Sequence, residues 1–427
     1  MGDLRGVVRR YYAYKMTNAY GFYLPVSVVY LTQVKGYGME VVGLTGAAFL
    51  FAEVAAEIPT GYVGDRIGRR ASLAVGNLLS AVALGLWVVA DSPLAYVGLN
   101  VVWAFGWAFR SGTGKAWLYE VLDAHGEADE FARVSGRANT ALLLTSGATA
   151  VAAGALVTVD WSLPFLANAL LSALGIPILA TLPTVASERD AESDDEEGRA
   201  DSADSTPVED ETFTVGDALR TLRIQVRRPE IRWFVAFAAL VYTLFELSRT
   251  FEQPAMTAAG VSVPALGLLY AGFKVVSAAA AASAGWIEET LGVRGALVLL
   301  VPLLGVTYAA IAFAPVLVVP VVVLTRGARS VFRPLRNQYL NDRVENVGRA
   351  TVLSGATMVF SLVAGVAKVG GGYAAAALGP IRLLAASAVV LTAGAGLVWV
   401  AFSPVRPASE SDDAGSDSEV GASAATD

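Results

Sequence analysis

The chain has 427 residues, of which 55% are hydrophobic and 16% are charged, and its mean hydropathy is +0.54. Soluble domains usually hold about a quarter charged residues, so this composition predicts a polytopic membrane protein. The chain has no cysteine, which excludes disulfides and thiolate ligands, and its one histidine, His125, lies in a polar loop. We therefore expect no metal site, no cofactor and no enzyme activity.

Twelve stretches are long and apolar enough to cross a bilayer, which takes about 20 residues. They cover residues 12–33, 41–61, 71–90, 94–118, 138–159, 162–183, 231–251, 264–285, 295–314, 316–336, 351–377 and 381–402. The pattern predicts an all-α membrane protein with twelve transmembrane helices. No small-residue cleavage site follows a compact apolar core near the N-terminus, so we expect the first stretch to be a transmembrane helix and not a signal peptide.

Arginine and lysine are distributed unequally between the two sets of loops. Nearly all of the loop arginines fall on one side, whereas the other side holds only Lys35 and Arg382. Because basic residues concentrate in cytoplasmic loops, this bias places both termini in the cytoplasm and the protein in the cytoplasmic membrane.

Two acidic segments interrupt an otherwise basic chain. The net charge of −7 hides a charge of −11 in residues 184–217 and −5 in residues 404–427. Their Ser/Asp/Glu-rich composition predicts disorder, and scarce lysine together with acidic solvated segments is typical of high-salt organisms. After the first segment, Val215, Leu219, Leu222 and Val226 recur at helical spacing, which predicts an amphipathic helix on the inner membrane surface.

These features predict four regions. They are a six-helix N-terminal half (1–183), a cytoplasmic link with the amphipathic helix (184–230), a six-helix C-terminal half (231–403) and an acidic tail (404–427).

The most distinctive loop follows the second apolar stretch and reads Gly-Tyr-Val-Gly-Asp-Arg-Ile-Gly-Arg-Arg. Its glycines permit a tight reversal between two helix ends, and its charges exclude the bilayer interior. Six residues carry the pattern: Gly61, Asp65, Arg66, Gly68, Arg69 and Arg70.

This pattern resembles the loop between helices 2 and 3 of the major facilitator superfamily. The resemblance implies two pseudo-symmetric six-helix halves, with helices 1, 4, 7 and 10 around a central cavity. It also implies that Asp65 holds the halves together on the cytoplasmic side.

An internal repeat agrees with that architecture. Gly285, Glu289, Gly292 and Arg294 align with Gly61, Asp65, Gly68 and Arg70 at a constant offset of 224 residues. The second copy has lost two arginines. Two parallel halves related in this way are typical of such transporters.

Ionisable residues within the apolar stretches are candidates for the substrate or ion pathway, because they are costly in a bilayer. The candidates are Glu53, Glu57, Arg110, Lys115, Glu246, Arg249, Lys274, Arg326, Arg329 and Arg333, with Lys368 as a further intramembrane cation.

Several of these candidates share a helical face, since their spacing is three, four or seven residues. Arg326, Arg329 and Arg333 form either the wall of an anion-binding cavity or structural pairs with carboxylates such as Glu53 and Glu57. A carboxyl of that pair could carry a proton or hold helices together permanently. Glu246 and Arg249 are placed to neutralise each other.

Arg110 and the glycines after it are similar to the superfamily's helix 4 motif, whose arginine is linked to proton transfer in proton-coupled members. Here the glycines follow two residues sooner than usual, and the antiporter signature of helix 5 lacks its proline. A coupling role for Arg110 therefore stays open.

The sequence as a whole predicts a secondary transporter that rocks two halves about a site near mid-membrane. We expect proton-coupled export of a small molecule by a monomer that binds no nucleic acid. The alternatives are a uniporter or importer of an anionic or zwitterionic metabolite, and a transporter-like membrane enzyme or sensor.

Overall fold

The computed structural model describes residues 4–184, 229–343 and 349–405, and within these ranges every regular element is a helix. The α-helices are α1 (Leu4–Thr17), α2 (Ser27–Val29), α3 (Met39–Ile67), α4 (Arg69–Leu86), α5 (Pro93–Arg110), α6 (Thr113–Asp123), α7 (Phe131–Leu156), α8 (Leu163–Ala180), α9 (Pro229–Ala258), α10 (Val263–Ala282), α11 (Ala284–Ile311), α12 (Val318–Asn341), α13 (Arg349–Leu378) and α14 (Pro380–Phe402). The predicted acidic link, amphipathic helix and acidic tail lie outside the described residues.

In the described part of the chain, nine segments are long and apolar enough to cross a membrane. The predicted spans 12–33, 71–90 and 94–118 are not among them. The helix of the first span is interrupted. The helices of the other two spans carry arginines at one end, because α4 begins with Arg69 and Arg70 and α5 ends at Arg110.

The first predicted span was expected to be one continuous helix, and that expectation is wrong. Helix α1 ends at Thr17, irregular turns follow, and α2 continues into a short π-helix at Tyr30–Val34. The break passes close to α7, because a Cβ on Gly21 would lie 2.1 Å from the Ser146 carbonyl oxygen. Close packing at this glycine therefore accompanies the irregular backbone.

The fourth predicted span is also divided. Helix α5 ends at Arg110, and α6 begins at Thr113 after Gly112, whose φ of +76° suits only glycine. The left-handed conformation stops the helical hydrogen-bond ladder at this point. Lys115 therefore lies in a separate short helix, where its side chain is exposed.

The turn between α3 and α4 is shorter than the sequence predicted. Gly61 lies inside α3, which continues to Ile67, and the reversal takes place at Gly68 alone (φ +83°, ψ 155°). The aligned glycine of the repeat, Gly292, adopts the same conformation (φ +65°, ψ 163°) and kinks α11. The two turn glycines, which are 224 residues apart in the sequence, thus have the same backbone conformation.

The helices group into two compact units. Among the described residues, the first unit contains residues 4–184, Arg249–Val275 and Gly365–Pro380, and the second contains residues 229–248, 276–343, 349–364 and 381–405. Segments of α9, α10 and α13 thus belong to the same unit as α1–α8. The predicted N-terminal half (1–183) and C-terminal half (231–403) are defined by sequence order, and this division into domains stays a prediction.

Aromatic side chains form much of the core of the first unit. One cluster surrounds Trp87, whose ring stacks on Phe165 at 5.4 Å and meets Tyr96 edge-on at 5.1 Å. A second surrounds Trp117, which stacks on Tyr11 at 5.4 Å. These two clusters fix the ends of the broken first helix against its neighbours.

The conformation of Gly68 makes a direct prediction about stability. Gly68→Ala forces a side chain into a region of φ and ψ that only glycine adopts readily, at a cost on the order of 1–3 kcal/mol. Gly61→Ala is the matched control, because Gly61 is helical with open space around it and alanine favours a helix by about 0.5–1 kcal/mol. Thermal unfolding in detergent should show a lower Tm for Gly68→Ala and an equal or higher Tm for Gly61→Ala. Equal Tm values for both variants would contradict the assignment of the turn to Gly68.

Candidate functional site

Helix α12 carries a stripe of arginines in the second unit. Arg329 Nη1 lies 2.8 Å from Glu246 Oε1 of α9, and the Glu246 side chain is only 1% exposed. The guanidinium of Arg329 also lies 5.9 Å from the centre of the Tyr242 ring. A buried carboxylate is thus held by an arginine of another helix, which favours a paired role for Arg329.

A chain of hydroxyl groups supports this ion pair. Thr325 donates to the Tyr308 hydroxyl at 3.0 Å, and Tyr308 donates to Ser248 Oγ at 2.5 Å. All three side chains are buried. Because Ser248 and Thr325 flank Glu246 and Arg329 on their helices, the chain fixes the relative register of α9, α11 and α12.

The arginine stripe is one member longer than the sequence analysis proposed. Arg336 is buried, bonds to Asn337 Oδ1 through Nε (3.1 Å) and Nη2 (2.8 Å), and lies 4.9 Å from the Phe360 ring centre. The signal was available, since positions 326, 329, 333 and 336 continue the same spacing. Arg326 is half-buried and Arg333 is exposed, whereas Arg336 is buried again, so exposure does not change in one direction along the stripe.

In the first unit, Arg110 meets the broken first helix. Its Nη1 donates to Asn18 Oδ1 at 2.9 Å and its Nε donates to the Gly106 carbonyl at 3.1 Å. Gly76 of α4 makes room for this side chain, since a Cβ there would lie 2.6 Å from Arg110 Cγ. Arg110, at the end of α5, is therefore hydrogen-bonded to Asn18, a polar residue at the break in the first transmembrane segment.

The remaining candidates of the first unit are spread over several helices. Glu53 is half-buried on α3, and Glu57, one turn later, is exposed. Lys274 Nζ lies 5.4 Å from the centre of the Tyr20 ring, and Arg249 is half-buried. Lys368 is buried in α13.

Two neighbouring polar residues of α9, Glu252 and Gln253, were not predicted from the sequence. Glu252 is 1% exposed and its Oε1 accepts a hydrogen bond of 2.5 Å from the Tyr270 hydroxyl. Gln253 is 2% exposed. Both were overlooked because the predicted span ended at residue 251, whereas α9 continues to Ala258. A longer apolar window would have found them.

Gln253 binds the backbone of the broken first helix. Its Oε1 accepts from the amides of Val28 (3.1 Å) and Val29 (3.4 Å), and its Nε2 donates to the Leu24 carbonyl (2.7 Å). Asn168 of α8 makes comparable bonds earlier in the break, to Tyr23 N and Ala19 O at 3.3 Å each. Within the first unit, one residue of the C-terminal half therefore fastens helix 1.

The loop motif residues stabilise helix ends. Arg69 Nε lies 3.1 Å from Glu120 Oε1, Arg70 donates to the Leu182 carbonyl at 2.8 Å, and Arg66 lies 4.4 Å from the Tyr62 ring centre. The Asp65 side chain is outside the described residues, so its role stays a prediction.

In the second copy of the motif, the observed hydrogen bond involves the residue before the predicted one. Gln338 Nε2 donates to Glu288 Oε1 at 2.6 Å, whereas Glu289 and Arg294 are exposed and Gly285 lies within α11. The charged contacts of the two loops thus differ although their turn glycines agree.

Lys35 stands outside the membrane-spanning segments and forms an ion pair with Asp91, Nζ to Oδ1, at 2.7 Å. This hydrogen bond raises the pKa of Lys35. Metal ligation has no support in the described ranges, which contain no group of three His, Cys, Asp or Glu side chains arranged to hold an ion.

Comparisons with known proteins agree with this architecture. The family model for the Major Facilitator Superfamily matches residues 15–353. The uncharacterized MFS-type transporter YxaM of Bacillus subtilis (strain 168) is 25% identical over 257 residues, and the alignment spans 59% of each chain.

Solved structures show the same fold. A mutant of the nucleoside transporter NupG has a TM-score of 0.77 and 13% identity, with 94% of this chain and 99% of that chain covered. The D-xylose-proton symporter has a TM-score of 0.66 and 14% identity over 94% and 98% of the two chains. The predicted twelve-helix, two-half fold is confirmed. The chain belongs to the Major Facilitator Superfamily.

Proposed function

We propose that this protein is a secondary active transporter that exports a small molecule in exchange for protons by alternating access. The observation that carries the proposal is the ion pair between Glu246 and Arg329 inside a pair of apolar helices. Charges are costly in a bilayer and are retained there mainly for transport or ion coupling. A carboxylate held by an arginine can exchange that partner for a proton when the surrounding helices move.

Coupling to protons draws further support from Glu252. This carboxylate is buried among apolar helices and accepts a hydrogen bond from Tyr270. It directly precedes Gln253, which fastens helix 1. A change of charge at Glu252 would therefore act next to a contact that joins the two sequence halves. One structural neighbour, the D-xylose-proton symporter, is named as proton-coupled.

The substrate class follows from the excess of cations among the pathway candidates. The helices that the family places around the cavity carry five arginines, which are Arg110, Arg326, Arg329, Arg333 and Arg336. Arginines bind carboxylate and phosphate oxygens through paired, charge-assisted hydrogen bonds. We propose an anionic or zwitterionic substrate, because a lipophilic cation would meet repulsion at the same positions.

A uniporter or importer of an anionic or zwitterionic metabolite is the second candidate. The arginine stripe favours it equally, since side-chain charge selects the substrate and leaves the direction of movement open.

We also propose that the protein works as a monomer in the cytoplasmic membrane with both termini in the cytoplasm, as the arginine bias indicates.

Transport is tested by counterflow in proteoliposomes. A panel of anionic, zwitterionic and cationic metabolites and drugs is first screened for compounds that raise the Tm of the purified protein. Vesicles loaded with the unlabelled hit should then accumulate the labelled compound, and an imposed pH gradient should change the rate and extent of accumulation. Unchanged accumulation under a pH gradient would reject proton coupling. Chemical conversion of the hit without counterflow would favour a membrane enzyme.

Arg326 gives the substrate proposal its sharpest test. Arg326→Gln removes the charge of the half-buried arginine nearest mid-membrane on the stripe, and loss of one charge-assisted pair costs about 1.5–3 kcal/mol. Substrate affinity, measured by ligand-induced thermal shift, should fall at least tenfold while the protein still folds. Arg382→Gln is the control, because Arg382 is exposed at the start of α14. Normal binding by Arg326→Gln would mean that the stripe is structural.

A further inference from the structure

Arg110 is a cation whose bonds in the described structure go only to neutral groups. Its Nε donates to the Gly106 carbonyl and its Nη1 donates to Asn18 Oδ1. The guanidinium has five N–H donors, and its Nη2 has no acceptor among the residues that the structure describes. No ion pair of the described ranges includes Arg110. This half-buried guanidinium, which contacts Asn18 at the break in helix 1, therefore retains donors that bond to no described residue.

Lys15 lies in the last turn of α1 and adds a second positive charge to the same place. Its backbone carbonyl accepts from the Asn18 amide at 3.2 Å, next to the side chain that contacts Arg110, and no carboxylate of the described residues pairs with its ammonium group. Like charges held together at low dielectric repel strongly unless an anion neutralises them. The local charge is positive and lacks a carboxylate partner within the described chain.

Tyr14 supplies a further hydrogen-bond donor. Its side chain is 1% exposed, and its hydroxyl proton has no acceptor among the described residues. Tyr14 lies one turn before Asn18, whose Nδ2 donates to the Tyr14 carbonyl at 3.4 Å and whose Oδ1 accepts from Arg110. Buried hydroxyls almost always have a partner. A bound group that accepts hydrogen bonds would complete the pairing of Tyr14.

The packing around Arg110 shows that its position is built into the fold. Gly76 of α4 and Gly106 of α5 approach so closely that a Cβ on Gly76 would lie 2.6 Å from Arg110 Cγ and 2.8 Å from the Gly106 carbonyl oxygen. The rings of Tyr20 and Trp107, 5.8 Å apart, stand beside this arrangement. The arginine is therefore seated in a groove between two helices that only glycines allow.

We propose that Tyr14, Lys15 and Arg110 form an oxyanion site, which binds a carboxylate or phosphate group of the transported molecule. The inference rests on the proposed function, because it assigns the anionic end of the substrate to the N-terminal half. The planar guanidinium has two parallel N–H groups, which can bind two oxygens of one oxyanion at the same time. A spherical anion has no such pair of acceptor atoms. The phenol and the ammonium then bind the remaining oxygen lone pairs.

Asn18→Asp tests the site without knowledge of the substrate. This variant places a carboxylate where Asn18 Oδ1 already lies 2.9 Å from Arg110 Nη1, so it acts as a tethered anion. The full chain in detergent should have a Tm raised by about 2 °C or more. The matched control is Asn100→Asp on α5. Asn100 is buried, whereas Asn18 is half-buried, and Asn100 donates to the Tyr96 carbonyl within its own helix, so the added charge there should lower the Tm.

The second measurement adds inorganic phosphate or acetate at constant ionic strength, balanced with sodium chloride. At least one of these probes should raise the Tm of the wild type in a saturable manner, which distinguishes phosphate from carboxylate preference. The shift should be lost in Asn18→Asp and in Arg110→Gln and kept in Arg137→Gln, an exposed arginine of α7.

A fall in Tm for Asn18→Asp equal to that of Asn100→Asp would overturn the proposal. So would the absence of a saturable shift with both probes, or an unchanged shift in Arg110→Gln. These measurements use solubilised protein, so they do not depend on transport. A confirmed site together with failed counterflow would reject the proposed function alone.

Discussion

A polypeptide inside a bilayer must satisfy its own backbone polar groups, and this constraint governs the first helix of the protein. The helical ladder stops at Thr17 and resumes at Ser27, which leaves amides and carbonyls without their usual partners. Side-chain amides of Asn168 and Gln253 replace several of the missing bonds. Irregular backbone at membrane depth is tolerated only where protein or a water-filled cavity surrounds it. The break thus joins α1, α2, α8 and α9 into one assembly.

Charged side chains inside a bilayer also need partners, and the two units provide them in different ways. In the second unit, Glu246 and Arg329 neutralise each other, and a hydroxyl chain holds their helices in register. In the first unit, Arg110 donates to the neutral groups Gly106 O and Asn18 Oδ1 and has no carboxylate partner among the described residues. A permanent pair suits a structural or coupling role, whereas cations without a counterion suit a ligand. The two units therefore accommodate their buried charges in different ways.

Much of the fold could be predicted from the sequence, because apolar length and arginine bias are strong signals for membrane helices. The glycine turn at Gly68 and its counterpart at Gly292 could be aligned from spacing alone, and both adopt the same left-handed conformation. The break in helix 1 could not be predicted, since apolar content stays high through it and its polar partner, Gln253, is 225 residues from Val28. Local hydropathy carries no information about such distant bonds.

The candidate site was predicted only in part for a related reason. Residue spacing placed three arginines on one face of α12, and the same spacing includes Arg336. It could not show that Glu246 pairs with Arg329 across helices. Glu252 was missed because the apolar stretch was taken to end one residue before it. Side-chain pairing between helices depends on their register, which periodicity within one helix does not determine.

The central claim is that the side chain of Gln253 stabilises the broken backbone of helix 1. Hydrogen–deuterium exchange of the segment 24–29 tests this most directly, in the wild type, in Gln253→Leu and in Thr257→Val, whose hydroxyl bonds only within α9. Loss of the bonds to Val28 and Val29 leaves buried amides unpaired at about 1–3 kcal/mol each, so exchange in Gln253→Leu should be about tenfold faster or more. Thr257→Val should match the wild type. Unchanged exchange in Gln253→Leu would contradict the account, because the break would then be held by other contacts.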